Sequence, residues 1–164
     1  MLVGVVSDTH DNLDLAESAV DVFEDRGAEA VIHCGDVVAP FTAAVFDADF
    51  AFYAVRGNND GEWALSNAIG EFGTYLGEMG ELALGDAEFA VYHGTAEPIV
   101  EALVACGEYD YVCRGHTHER GLREDDAGTV HLNPGGLPIE DADDHYHVAT
   151  VDTGSGEVEH HRIG

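Results

Sequence analysis

The chain has 164 residues, enough to bury the core of one domain without help from disulfides. It carries 33 acidic residues against six basic ones, all of them arginine, which gives a formal net charge of −27. This charge argues against non-specific binding to nucleic acids or anionic membranes, which relies on lysine and arginine, and an apolar content of 45% argues against a disordered chain.

The first third of the chain predicts an alternation of strands and helices. The apolar run 3–6 predicts a buried strand that ends at Ser7-Asp8. Apolar residues then recur at helical spacing from Leu13, and Gly27 ends this predicted helix. The next predicted elements are a strand at residues 30–33, a short helix at 41–46 and a strand at 50–55. This order predicts a parallel sheet, which gathers ligands at the carboxyl ends of its strands.

The rest of the chain is less regular. Helices are predicted near residues 62–69 and 98–105, and strands at 82–84, 88–92 and 109–113. The final third alternates polar and apolar residues at 129–132, 147–151 and 157–163, a pattern that predicts antiparallel strands. The acidic stretch 140–144 is interpreted as a solvated loop. Because no repeat or linker is evident, we predict one domain covering residues 1–164.

Polar motifs stand at or near the ends of the predicted strands. They are Asp8-Thr9-His10, Gly35-Asp36, Gly57-Asn58-Asn59-Asp60, His93-Gly94 and Gly115-His116-Thr117-His118. Each motif alone is weak evidence, because short motifs recur by chance. Loops at the ends of the strands of one sheet converge, however, and clustered carboxylates need a cation to offset their repulsion and loss of water. Oxygen and imidazole ligands without thiolate suit Mn, Fe, Ni, Co or Zn.

This series of motifs resembles the calcineurin-like metallophosphoesterase superfamily, and the resemblance extends from Asp8 to Gly135. The wording of the motifs is most similar to its small bacterial and archaeal phosphodiesterase branch, which is related to the retromer-subunit branch. The resemblance implies an α/β fold built as a two-sheet αββα sandwich. It also implies an enzyme that hydrolyses phosphoric esters, with small phosphodiesters as the expected substrates.

The resemblance further implies two divalent metal ions, for which manganese is the first choice and Ni, Fe, Co or Zn are alternatives. One ion would be held by Asp8, His10, Asp36 and His118, and the other by Asp36, Asn58, His93 and His116. Asp36 would bridge the two ions, and the nucleophile would be hydroxide. Asp36, Asn58 and His93 are therefore the candidate catalytic residues.

Two positions depart from the family pattern. Asn59 stands where many members have a histidine that protonates the leaving group or contacts phosphate, and an amide cannot supply a titrating proton. Gly136 stands where serine is more common, in the turn Asn133-Pro134-Gly135-Gly136 that would support the site from behind. Asn59 remains a candidate substrate contact.

Other polar residues are open to two interpretations. Arg56 and Arg114 could bind substrate phosphate or serve as structural partners of nearby acids. His33 is interpreted as a satisfied core residue or a support for the metal ligands. The remaining histidines, at positions 131, 145, 147, 160 and 161, are expected to take no part in catalysis.

Two alternative functions stay open. A non-catalytic scaffold for protein binding, as in the retromer branch, would share the fold. A nuclease or a nucleotide pyrophosphatase would share the metals and differ only in substrate.

Compartment and association are predicted from composition. Three cysteines without paired spacing predict reduced thiols, and the chain begins with a strand-like segment rather than a basic leader, so a cytoplasmic location is expected. Self-repulsion of the acidic surface suggests a salt-rich cytoplasm of the kind that halophilic microbes keep. If the chain associates, a homodimer is the expected form.

Overall fold

The computed structural model describes residues 1–61, 63–139 and 145–163. Within these ranges the helices are α1 (Leu13–Arg26), α2 (Pro40–Ala43), α3 (Trp63–Ile69) and α4 (Glu97–Ala105), and a 3-10 turn spans Ala44–Phe46. The strands are β1 (Leu2–Val6), β2 (Ala30–His33), β3 (Ala51–Val55), β4 (Thr74–Gly77), β5 (Met79–Leu84), β6 (Ala87–Tyr92), β7 (Tyr111–Cys113), β8 (Gly121–Glu124), β9 (Val130–Asn133), β10 (Tyr146–Asp152) and β11 (Val158–Ile163).

The strands form two mixed sheets. The first has the order β11-β10-β1-β2-β3-β4. In it, β1 to β4 are parallel to one another, β10 is antiparallel to β1, and β11 is antiparallel to β10. The second has the order β5-β6-β7-β9-β8, in which β6, β7 and β9 are parallel. The prediction of antiparallel pairing for the last third was therefore wrong for one side of β9, which is parallel to β7 and antiparallel to β8.

Three apolar cores hold the layers together. Helices α1, α2 and α3 cover one face of the first sheet, where Phe23, Phe46 and Phe52 are buried. The two sheets pack on each other through residues such as Ile32 and Phe89. Helix α4 covers the outer face of the second sheet. The predicted αββα sandwich is confirmed, because burial of two sheet faces against each other leaves one outer face per sheet for helices.

Local signals account for the helix ends. The side chain of Asn12 accepts a hydrogen bond from the backbone N–H of Leu15 and caps α1, and Gly27 ends the helix at a φ of 71°. The predicted helix at 41–46 instead begins at Pro40 and is divided into α2 and the 3-10 turn.

Two strands were not predicted, and parts of two predictions lie outside the described residues. Both β4 and β8 are short edge strands without a fully buried residue, so they lack the alternation of buried and exposed residues that marks a half-buried strand. Two predicted features lie outside the described residues: the start of the helix at residue 62 and the acidic loop at 140–144. Among the described residues, none of the helices combines the length and apolar character needed to span a bilayer.

Candidate metal centre

Each predicted metal ligand follows the end of a strand. Asp8, Asp36 and Asn58 follow β1, β2 and β3 of the first sheet, whereas His93 and His116 follow β6 and β7 of the second. Parallel strands end at the same edge of a sheet, and the two sheets are stacked, so these loops meet in one place. The structure thus brings together side chains from both halves of the chain.

The backbone is left-handed at most of these positions. This conformation is unfavourable for residues other than glycine, and it persists where the surrounding structure enforces it, typically at functional sites. The five predicted ligands with positive φ are Asp8 (53°), His10 (43°), Asp36 (58°), His116 (71°) and His118 (60°).

One half of the centre consists of Asp8, His10 and His118. Nε2 of His118 lies 3.4 Å from Oδ1 of Asp8 and 3.2 Å from Nε2 of His10. Nδ1 of His118 donates to the carbonyl oxygen of Leu137 at 2.6 Å, so in the neutral ring the lone pair is on Nε2. The ring is therefore held in the tautomer that can bind a metal.

The other half consists of Asp36, Asn58, His93 and His116. Nδ1 of His93 donates to the carbonyl oxygen of Cys34 at 2.7 Å, which leaves its Nε2 facing Oδ2 of Asp36 at 3.4 Å and Oδ1 of Asn58 at 3.1 Å. Nδ1 of His116 lies 3.0 Å from the same amide oxygen. Asp36 is within reach of both halves, since its Oδ2 also lies 3.5 Å from Nε2 of His10.

This arrangement of lone pairs fits divalent metal ions. Two groups of three residues share Asp8: Asp8, His10 and His118, and Asp8, Asp36 and His93. Within each group, the ligand atoms lie within 4.8 Å of one another. Oδ1 of Asp8 is buried and receives no hydrogen bond from any described residue. A buried carboxylate oxygen without a donor is costly unless a cation faces it.

The pKa shifts also favour positive charge here. Burial acts to raise the pKa of Asp36, but hydrogen bonds from His93 and Asn59 outweigh it and hold the pKa below its usual range. Burial acts to lower the pKa of His93, but the carboxylates of Asp36 and Asp8 outweigh it and raise this pKa. Both shifts follow from the close approach of the carboxylates to the ring of His93.

Asp60 organises the loops around Asp36, a role that the sequence analysis missed. Its Oδ2 accepts from the backbone N–H of Asp36 at 3.0 Å and of Gly57 at 2.7 Å, and its Oδ1 accepts from Val38 at 2.7 Å. Burial raises the pKa of Asp60, because the loss of water outweighs these donors. The only signal in the sequence was its place in the Gly57-Asn58-Asn59-Asp60 motif.

The turn at 133–136 lies behind the centre, where the sequence analysis placed it. The side-chain amide of Asn133 donates to the carbonyl of Gly115 at 3.2 Å and to Oγ1 of Thr117 at 3.0 Å, which fixes the loop that carries His116 and His118. A Cβ atom at Gly136 would lie 2.6 Å from Cβ of Asp8. This backbone therefore has no room for the serine that is more common there.

His33 is a buried support and not a ligand. Its Nδ1 accepts from the backbone N–H of Gly35 at 3.2 Å, so Nε2 carries the proton and donates to Oγ1 of Thr9 at 3.2 Å. Burial lowers the pKa of His33 to about 3, which keeps the ring neutral. His33 thus holds Thr9 between Asp8 and His10.

The two arginines differ in their surroundings. Arg114 is buried, pairs with Glu97 at 2.5 Å and donates to the carbonyl oxygens of Gly94 and Gly115, all of which indicates a structural role. Arg56 is half-buried and its Nη1 pairs with Oε1 of Glu78 at 2.9 Å. The amide of Asn59 donates to Oδ2 of Asp36 at 2.7 Å, so this side chain helps to orient the carboxylate.

Comparison with known proteins gives a consistent result. The model of the calcineurin-like phosphoesterase superfamily domain matches residues 1–156. A phosphodiesterase of Methanocaldococcus jannaschii is 36% identical over 139 residues, which cover 82% of this chain and 83% of the relative. The solved structure of an archaeal phosphodiesterase superposes with a TM-score of 0.90 at 32% identity, with 99% of this chain and all of the other covered.

The fold is shared more widely. Vps29 from Entamoeba histolytica, in a structure complexed with Zn²⁺, matches with a TM-score of 0.70 at 18% identity and covers 99% of this chain and 98% of its own. At this identity, the likeness concerns the fold alone.

Proposed function

Because the chain belongs to the calcineurin-like phosphoesterase superfamily, we propose that it is a metal-dependent phosphodiesterase that acts on small substrates. The observation that carries this proposal is the convergence of carboxylate, amide and imidazole ligands from both sheets around the buried, donor-free Oδ1 of Asp8. When bound, two divalent ions would supply a hydroxide nucleophile at neutral pH and offset charge on the phosphate oxygens.

The residues of the chain divide into two sets of ligands in this proposal. Asp8, His10 and His118 would serve one ion, Asn58, His93 and His116 the other, and Asp36 both. The distances from Oδ2 of Asp36 to Nε2 of His10 and of His93, 3.5 and 3.4 Å, support the bridging role. Manganese is our first choice of metal, because hard carboxylate and amide oxygens are mixed with imidazole.

Hydrogen bonds to groups outside the centre orient the ligands in advance. Leu137 and Cys34 hold the rings of His118 and His93 through Nδ1, which directs both Nε2 atoms inward. Asn59 donates its backbone N–H and its amide to the two oxygens of Asp36, at 2.8 and 2.7 Å. Removal of such a hydrogen-bond partner of a metal ligand typically lowers metal affinity or activity by about 10–100-fold.

Substrate charge sets a further requirement. The protein carries a net charge of −27, so a phosphodiester anion approaches an unfavourable overall field. The predicted phosphate contacts are Arg56 and Asn59, which lie beside Asn58. We also propose that residues 1–164 act as one domain, in a salt-rich cytoplasm, and that any association produces a homodimer.

The test is a metal count combined with an activity assay. The chain would be purified in molar KCl, its metals measured by elemental analysis, and bis(p-nitrophenyl) phosphate assayed with added Mn²⁺. We expect two ions per chain, with turnover lost in Asp36→Ala and His116→Ala and retained in Asp49→Ala, which changes an exposed carboxylate.

Other outcomes would separate the alternatives. Stoichiometric metal without turnover on any phosphoester would favour the scaffold that the retromer branch represents. Absence of bound metal would overturn the proposal.

A further inference from the structure

A small cavity of about 220 Å³ opens beside the candidate metal centre, on the side of Asn58. Its lining consists of Arg56, Gly57, Asn58, Glu78, Tyr92 and Thr95. Asn58 is shared with the centre, and Tyr92 directly precedes His93 in the chain. A substituent on a phosphorus atom held at the centre can therefore extend into this cavity.

The walls of the cavity are polar but electrically balanced. Nη1 of Arg56 donates to Oε1 of Glu78 at 2.9 Å, so the guanidinium and the carboxylate offset each other. The hydroxyls of Tyr92 and Thr95 are 2.8 Å apart and hydrogen-bonded. Glu78 retains acceptor capacity, because a carboxylate offers about four lone-pair positions. The described lining residues thus offer donors and acceptors, and the formal charges of Arg56 and Glu78 cancel.

These properties restrict the group that fits. A second phosphate would meet the carboxylate of Glu78, and Arg56 is already paired with that carboxylate. An aromatic or alkyl group would cover these polar atoms without replacing their hydrogen bonds to water. The volume is below the roughly 300–1,000 Å³ of common ligand sites, which favours a fragment over a whole nucleoside.

We propose that this cavity binds the alcohol that the phosphodiester retains, and that it selects a small hydroxyl-rich alcohol such as a glycerol or pentose unit. The inference rests on the proposed phosphodiesterase function. Glu78 accepts hydrogen bonds from the hydroxyls of the alcohol, and the hydroxyls of Tyr92 and Thr95 add a second contact. A carboxylate accepts from a ribose hydroxyl in the same way in dinucleotide-binding folds. Glu78 is therefore a specificity residue and takes no part in the chemical step.

The test uses two substrates with the same leaving group. The p-nitrophenyl esters of glyceryl phosphate and of propyl phosphate differ only in the hydroxyls of the retained alcohol. With Mn²⁺ in molar KCl, we expect the wild-type KM to be about tenfold lower for the glyceryl ester, with similar kcat. Because Glu78→Gln also releases Arg56, both KM values can change, but their ratio should fall towards one. Tyr92→Phe should reduce the ratio as well.

A matched control is available in a second exposed ion pair. Glu159 pairs with Arg26 at 3.6 Å on β11, at the far edge of the first sheet. Glu159→Gln removes the same charge from a comparable pair and should leave both KM values unchanged. Equal KM values for the two esters in the wild type, or an equal change of both in Glu78→Gln, would overturn the proposal.

Binding without turnover separates this inference from the proposed function. If neither ester is hydrolysed, the proposed function fails, and calorimetry with glycerol 1-phosphate and propyl phosphate decides the role of the cavity. Tighter binding of glycerol 1-phosphate that is lost in Glu78→Gln supports the cavity as an alcohol site. Equal binding of the two anions overturns it.

Discussion

Asp60 should be a main determinant of the stability of the centre, because one side chain satisfies three backbone donors. Asp60→Ala would leave the N–H groups of Asp36, Gly57 and Val38 without their acceptor at a position that is 5% exposed. Each such loss costs about 1–3 kcal/mol in a buried place. Since water can enter part of the space left, we expect the free energy of unfolding to fall by about 3 kcal/mol in total.

Asp60→Asn removes the negative charge of the side chain but keeps one acceptor oxygen. One amide oxygen can still serve Asp36 and Gly57, so only the bond from Val38 is lost, and we expect a fall of about 1–2 kcal/mol. Val38 has a φ of 83°, which is strained for a β-branched residue. Without its bond to Asp60 the loop should relax, and metal affinity should fall about tenfold or more.

Urea unfolding followed by circular dichroism, at constant molar KCl and with a chelator, measures the stability change. Asp152→Ala is the control, because Asp152 accepts from the N–H groups of Gly154 and Ser155 in an exposed turn where water can replace it. We expect a loss below about 1 kcal/mol there. An Asp60→Ala protein within about 1 kcal/mol of the wild type would refute the reasoning.

Further predictions concern pH, packing, salt and substrate. Burial lowers the pKa of His33 to about 3, so the unfolded chain binds a proton that the folded chain does not between that pH and 6.5. The free energy of unfolding should therefore fall by about 1.4 kcal/mol per pH unit as the pH drops from 6.5 towards 3, and His33→Gln should remove this part of the slope in urea titrations. Gly115→Ala should destabilise by about 1–3 kcal/mol in the same assay, because its Cβ would lie 2.4 Å from Oδ2 of Asp8, whereas Gly61→Ala, in open space, should not. The melting temperature should rise between low and molar KCl as the charge of −27 is screened, and a flat curve would contradict the prediction of a salt-rich cytoplasm. With Asn59 unable to protonate a leaving group, activated aryl diesters should react faster than alkyl phosphates, and equal rates would contradict this.

Local patterns were sufficient for the main elements of the fold. Helix α1 was predicted from Leu13 to Gly27 because its apolar periodicity and its end signal lie in the local sequence. The same holds for β1 and β2, whose apolar runs are continuous. Edge strands β4 and β8 escaped prediction, since none of their residues is fully buried and neither strand has an apolar alternation of its own.

The sequence by itself determined which residues could bind metal, because the side chains of Asp8, Asp36 and His118 have that chemistry wherever they lie. Their grouping was predictable to the extent that strand ends converge. Only the tertiary structure decided the tautomers, which the carbonyls of Leu137 and Cys34 set, and the role of Asp60. They depend on contacts such as His93 with Cys34 and Asp36 with Asp60, which are 59 and 24 residues apart, and local sequence patterns do not encode contacts of that kind.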